Sequence, residues 1–281
     1  MLTRILLAML LICGSAHAEI RQVSDLESVR KEVYNSTKDT FVIFDVDLTL
    51  IEPKDQIFSH SSAEEFNYRY QALKKAHTEE ELHHLWSTVL VAAPASTVEP
   101  DTLSIVRKIQ KRNRNVILLT ALGTGRLGKI ACLEDWRIAE LRRLGFNLNI
   151  SFPETADHQL DPFLSTSKAD CSPIFKNGIL FGCFLDKGDV LKAYLTFAKI
   201  KPQKIIFVDD RLEYVESVAA YCKQENIQFV GFEYTAWKNR KVLPSNPKIA
   251  QLQFAVLDKG EVWLSDEKAK QILAGLKCDN K

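Results

Sequence analysis

Short apolar runs bounded by polar residues recur along the chain: Thr40-Phe41-Val42-Ile43-Phe44, Val116 to Leu119, Lys204 to Val208 and Ile227 to Phe232. A continuous run without alternation is the pattern of a strand covered on both faces, as in a parallel sheet. Between the runs, apolar positions spaced by three and four residues predict helices over Asp101 to Lys111, Cys132 to Leu144, Asp189 to Ile200 and Leu212 to Glu225. A further helix precedes the first run, opened by the capping-box pattern Ser24-Asp25-Leu26-Glu27 and carrying Leu26, Val29 and Val33 on one face. Strands alternating with helices imply βαβ units, and so an α/β fold with a Rossmann-like parallel sheet and helices on both faces.

Residues from Glu52 to about Ala93 break this alternation. Helical spacing over Ala63 to Ala76 and Glu79 to Val91 predicts a small inserted helical cap at about 52–98 rather than a separate domain. Phe58, Phe66, Tyr68, Tyr70 and Trp86 fall here, and most are expected to form the insertion's own core. Pro173 to Phe181 reads as two short strands around Asn177-Gly178, a dipeptide that favours a two-residue hairpin. Closing it brings Cys171 near Cys183, where a disulfide and two half-buried free thiols are both open. A last helix begins at Ser265, with Asp266 and Glu267 in its first turn and Ile272, Leu273 and Leu276 on its apolar face.

Composition narrows the class of protein. With 46% hydrophobic and 26% charged residues the chain can build a core, which excludes a disordered or collagen-like molecule. Lys and Arg number 37 against 36 Asp and Glu, so no field of one sign draws in nucleic acid or an acidic membrane surface. The basic run Arg107, Lys108, Lys111, Arg112 and Arg114 falls toward a helix end, where cations complement the dipole. At the start, MLTRILLAMLLICGSAHA has a cationic residue, an apolar run and an A-x-A site. It predicts a signal peptide over 1–18, cut after Ala18, with the domain 19–281 exported to the periplasm or the extracellular space. The apolar run Ile5 to Ile12 is shorter than the ~20 residues that span a bilayer, so no stable membrane span is expected once the signal is removed. Cleavage leaves Cys132, Cys171, Cys183, Cys222 and Cys278, too few for a disulfide-built scaffold.

Ligands of a parallel α/β sheet bind beyond the carboxyl ends of its strands. The first run ends in Asp45-Val46-Asp47-Leu48-Thr49, the second in Thr120 and the third in Asp209-Asp210, while Lys187 opens the helix ahead of that third strand. Each alone is an ordinary cap or turn residue. Together and in this order, they resemble the haloacid dehalogenase (HAD) superfamily of phosphohydrolases. Its motifs are D-x-D-x-T after a hydrophobic strand, Thr or Ser after the next, a Lys, and an acidic pair or D-x-x-x-D after a later strand. The resemblance covers roughly residues 38 to 235, and the chain also looks like a secreted bacterial subgroup of that superfamily, a domain-of-unknown-function family.

The resemblance implies a HAD-like core and a role for each matched residue. Asp45 would be the nucleophile that forms an aspartyl-phosphate, and Asp47 the general acid and then base. Thr120 would hydrogen-bond a phosphoryl oxygen, Lys187 would offset negative charge, and Thr49 would fix the turn. Mg²⁺ would be held by Asp45, by the backbone carbonyl of Asp47 and by Asp209, with Asp210 as alternative ligand or outer partner and Glu213 where the last acidic position falls. Physical chemistry points the same way, because a carboxylate approaches an anionic phosphate only if positive charge offsets the repulsion, and hard oxygen ligands suit Mg²⁺. A carboxylate at Asp47 fits phosphoester cleavage, since a departing halide needs no proton.

The expected function is therefore an exported, Mg²⁺-dependent phosphohydrolase acting on a small phosphorylated substrate, with no nucleic-acid partner. The alternatives are a phosphotransferase of the same fold and a non-catalytic binding or host-interaction protein. Leu122-Gly123-Thr124-Gly125-Arg126 is expected to be a glycine-permitted turn. His77, His83 and His84 complete no set of metal ligands and are expected on a solvated face.

Overall fold

The computed structural model describes residues 18–113, 115–147, 158–164 and 171–278. The signal segment before Ala18, together with Arg114, lies outside them. The described chain opens with β1 (Ala18–Val23), α1 (Leu26–Asn35) and β2 (Phe41–Phe44), followed by β3 (Ile51–Pro53), two short 3-10 turns, α2 (Ala63–Ala76), α3 (Glu79–Ala92) and β4 (Ala95–Thr97). Alternation resumes with α4 (Thr102–Arg112), β5 (Val116–Thr120), α5 (Leu133–Arg143), β6 (His158–Gln159), β7 (Ile174–Lys176), β8 (Ile179–Phe181), α6 (Lys187–Ala198), β9 (Lys204–Asp209), α7 (Leu212–Gln224) and β10 (Gln228–Tyr234). Helices α8 (Ala236–Asn239), α9 (Pro247–Gly260) and α10 (Asp266–Cys278) complete it.

The four apolar runs form the middle of an eight-stranded sheet in the order β1-β10-β9-β2-β5-β8-β7-β6. From β1 to β8 neighbouring strands are parallel. Only the β7 and β6 end turns antiparallel, so the sheet is mostly rather than wholly parallel. Phe44, Leu118 and Val208 face a core shared with Val29 and Val33 of α1, Ile105 and Ile109 of α4, and Ile138 and Leu141 of α5. Ile43, Ile117 and Phe207 face the opposite core with Leu191 of α6 and Val215 and Val218 of α7. Burial on both faces is why these strands carry no polar alternation.

Local chemistry sets the element ends. Asp25, not Ser24, caps α1, its carboxylate accepting from the Ser28 amide at 2.7 Å. Helix α6 begins at Lys187 rather than Asp189, because Asp186 accepts from the Asp189 amide and supplies the cap. The Asn177-Gly178 hairpin forms, both residues at positive φ, and Cys171 and Cys183 are joined in a disulfide. Residues 122–126 are an irregular loop in which Gly125 takes φ +79°, the Gly125 amide bonding to Glu134 and the Thr124 hydroxyl to the Ser172 carbonyl; the turn itself follows at Gly128-Lys129.

Besides the short β3, β4, β6 and α8, two longer elements were not predicted. Strand β1 is an edge strand that pairs with β10 along six residues. Helix α9 packs Ala250, Phe254 and Leu257, with Trp263, against Ile57, Leu73, Leu85 and Val89 of the segment between β3 and β4. Those two strands pair antiparallel, Ile51 opposite Thr97, and close the ends of the segment on each other. Phe58, Phe66, Tyr70 and Trp86 contact one another within it, whereas Tyr68 is exposed. His77 and His84 are not merely solvated, since they meet Asp258 and Glu261 at 2.6 and 2.7 Å and tie the segment to α9 and the residue after it.

Candidate functional site

Strands β9, β2 and β5 lie side by side, and their carboxyl ends bring Asp209, Asp45 and Thr120 to one edge of the sheet. This is the edge where strand order switches direction and where open α/β sheets bind ligands. The Asp45 amide donates to the Val208 carbonyl at 2.8 Å and carries the strand pairing one residue further. The chain then turns back, the amides of Leu50 and Ile51 bonding to the Val46 carbonyl, with Leu48 in the left-handed region. That turn leaves Asp45 buried and the Asp47 carboxylate half exposed. Thr49 does not fix it through its hydroxyl, which is buried without a hydrogen-bond partner; the backbone bonds hold the turn instead.

Asp45, Asp209 and Asp210 bring carboxylate oxygens within 4.8 Å of one another. Lys187 Nζ donates to Asp45 Oδ1 and to Asp209 Oδ2, each at 2.6 Å, and its side chain is 1% exposed. The Tyr214 ring lies 4.6 Å from the same ammonium. Asp209 Oδ1 accepts from the Arg211 amide at 3.0 Å. Glu213 is exposed and pairs with Arg211, so it stands outside this cluster.

If all ionised, the three buried carboxylates exceed the one ammonium bonded to them by two charges, which Lys238 and Arg211 only partly offset. Burial accordingly pushes the carboxyls of Asp45 and Asp209 above the ordinary carboxylate range against the pull of Lys187. Burial and the neighbouring Asp209 push Asp210 up to about 7. Burial alone would lower Lys187, yet Asp45 and Asp209 outweigh it and hold the ammonium above its usual range.

Thr120 and Asp47 meet beside this cluster, the Thr120 hydroxyl donating to Asp47 Oδ2 at 3.4 Å and accepting from the Leu122 amide at 3.1 Å. The sequence reading missed Arg137 of α5. Its Nη2 donates to Asp47 Oδ1 at 2.8 Å and its Nη1 to Glu140 Oε2 at 2.6 Å, with the side chain 5% exposed. A signal existed, because Arg137 shares a buried stripe with Leu133, Ile138 and Leu141, and a charge on such a stripe needs partners.

A mostly parallel α/β sheet with a carboxylate–lysine centre at its carboxyl edge defines the class, an α/β protein consistent with a Rossmann-like fold. The chain belongs to the family described as "Protein of unknown function (DUF2608)", which matches residues 22–270. It is 24% identical over 278 residues to "Uncharacterized protein RP296" of Rickettsia prowazekii, covering 97% of this chain and 98% of that one. It is 26% identical over 253 residues to a "Putative outer membrane protein" of Chlamydia trachomatis, covering 88% of each. A protein of Chlamydia muridarum with the same description is 26% identical over 278 residues, 96% of this chain and 97% of the relative. No solved structure matches the chain. Among the described residues, no helix is long and apolar enough to cross a membrane.

Proposed function

We propose that this chain is an exported, Mg²⁺-dependent phosphohydrolase with a HAD-like core and a helical cap over about 52–98, which cleaves a small phosphomonoester through an aspartyl-phosphate on Asp45. The observation that carries this reading is the buried cluster itself: Lys187 lies between Asp45 and Asp209, with carboxylate charge in excess of the one ammonium and Asp47 close by. A site that only stabilised the fold would gain by replacing such a cluster with apolar side chains. Export is supported by the signal-like start and by relatives described as outer membrane proteins.

The residues fit a divalent cation. Asp45, Asp209 and Asp210 offer hard oxygens, and one such ion would offset the charge that Lys187 leaves. Asp45, Asp209 and the Asp47 backbone carbonyl would hold it, with Asp210 as further ligand or outer partner. Bound there, the ion would withdraw negative charge from the phosphoryl oxygens.

A carboxylate oxygen of Asp45 attacks phosphorus, forming the O–P bond of the acyl phosphate as the bond to the alkoxide oxygen breaks. Lys187 offsets charge on the nucleophile, and the Thr120 hydroxyl binds a phosphoryl oxygen. Asp47 delivers a proton to the departing oxygen, then takes one from the water that attacks the acyl phosphate, releasing phosphate and restoring Asp45. Phosphate release from a small monoester is measured for the chain from Glu19 onward with Mg²⁺, with EDTA and as Asp45→Asn. Turnover that requires both the cation and Asp45 supports the reaction; turnover that survives Asp45→Asn refutes it.

A further inference from the structure

A groove adjoins the proposed site at Asp47. It has a volume of about 90 Å³, and its lining includes Asp47, together with Phe58, Trp86 and Val89 from the segment between β3 and β4 and Trp136 and Arg137 from α5. The charged groups in these walls are paired at their ends, although Arg137 Nε is buried without a hydrogen-bond partner. Arg137 binds Asp47 and Glu140, and Glu52 pairs with Arg240. Among the described residues that line the groove the one cation, Arg137, already binds two carboxylates, while three aromatic side chains from three separate elements offer apolar surface.

Building on the reading above, we infer that this groove receives the organic part of the substrate, and that the substrate is a monoester of a small uncharged apolar or aromatic alcohol. Asp47 fixes the direction, because the group that protonates the departing oxygen must stand beside the departing alcohol. A larger cavity of about 300 Å³, lined in part by Lys54, His60 and Lys238, shares Glu52, Pro53 and Phe58 with the groove. Its lining includes Leu48 but not Asp47, so the proton donor does not face it. At about 90 Å³ the groove is smaller than the cavity of about 150 Å³ that encloses benzene, so it suits a short alkyl chain or part of one ring with the rest in solvent.

The test compares benzyl phosphate, glycerol 3-phosphate and 2-phosphoglycolate, all esters of alkyl alcohols, on the chain from Glu19 onward with Mg²⁺. Benzyl phosphate is expected to exceed the other two in kcat/KM by about tenfold, the return from burying part of a ring. Trp136→Ala is expected to bring that ratio within about threefold, and Trp86→Leu to reduce it in the same direction. Equal or better turnover of glycerol 3-phosphate or 2-phosphoglycolate overturns the inference and leaves the reaction standing. Tryptophan fluorescence with benzylphosphonate, which cannot be hydrolysed, gives an independent readout, with binding about tenfold tighter than methylphosphonate expected. If no ester turns over, the proposed reaction fails; the groove's ligand chemistry then stands if benzylphosphonate binds with that preference and falls if it does not.

Discussion

Replacing Lys187 by Met keeps the buried apolar stem and removes the ammonium that holds Asp45 and Asp209. Removing one member of a buried ion cluster costs about 3–5 kcal/mol, because the remaining charges are left without compensation. For a chain of this size each kcal/mol moves the melting temperature by about 2–4 °C, so a fall on the order of 6–20 °C is expected at pH 8 with EDTA present. The pH dependence follows from the carboxyls that burial pushes up, about 7 for Asp210. An acid whose pKa is raised by folding contributes stability that is fully present below its unfolded value, about 4, and is lost as pH rises through its folded value. The gap between Lys187→Met and the natural chain is therefore expected to be widest at pH 8 and to narrow toward pH 4.5, where the carboxyls hold protons. Thermal unfolding followed by circular dichroism at both pH values checks this. A shift under about 3 °C at pH 8, against the expected minimum of about 6 °C, or the same shift at both pH values, refutes the charge argument.

Three further outcomes are expected. Asp47→Asn lowers kcat by roughly 10²–10⁴-fold while KM changes little, as measured by steady-state phosphate release, because the amide preserves shape but cannot exchange the proton. Replacing Cys171 and Cys183 together by Ser lowers stability by about 3 kcal/mol in urea unfolding, the loop between them being 12 residues in sequence. Gly128→Ala costs about 1–3 kcal/mol by the same measurement, since Gly128 has φ +51° and an added Cβ would sit 2.5 Å from the His83 carbonyl oxygen, against Ser87 of α3.

The helices between β3 and β4 were legible to within a residue because their apolar spacing is a local signal. The central strands were legible because burial on both faces leaves their middles continuously apolar, with polar residues at their ends. Strand β1 was not, since an edge strand such as Glu19-Ile20-Arg21-Gln22-Val23 buries little and owes its pairing to β10, more than 200 residues away. Helix α9 was missed for a related reason: its apolar positions acquire meaning only when Phe58 and Trp86 are placed against it.

Taken alone, the sequence determined which residues end or follow the strands, Asp45, Asp47, Thr120, Asp209 and Asp210, and that Lys187 opens a helix. Strand ends and helix starts follow from short-range burial and capping, which neighbouring residues specify. Only the tertiary structure decided which of those residues share charge: Lys187 between Asp45 and Asp209, Asp210 beside them, Glu213 turned out to solvent, and Asp47 bound by an arginine 90 residues away. Such pairings depend on distances in space and on how far burial strips water from each group, and neither is a property of any one stretch of chain.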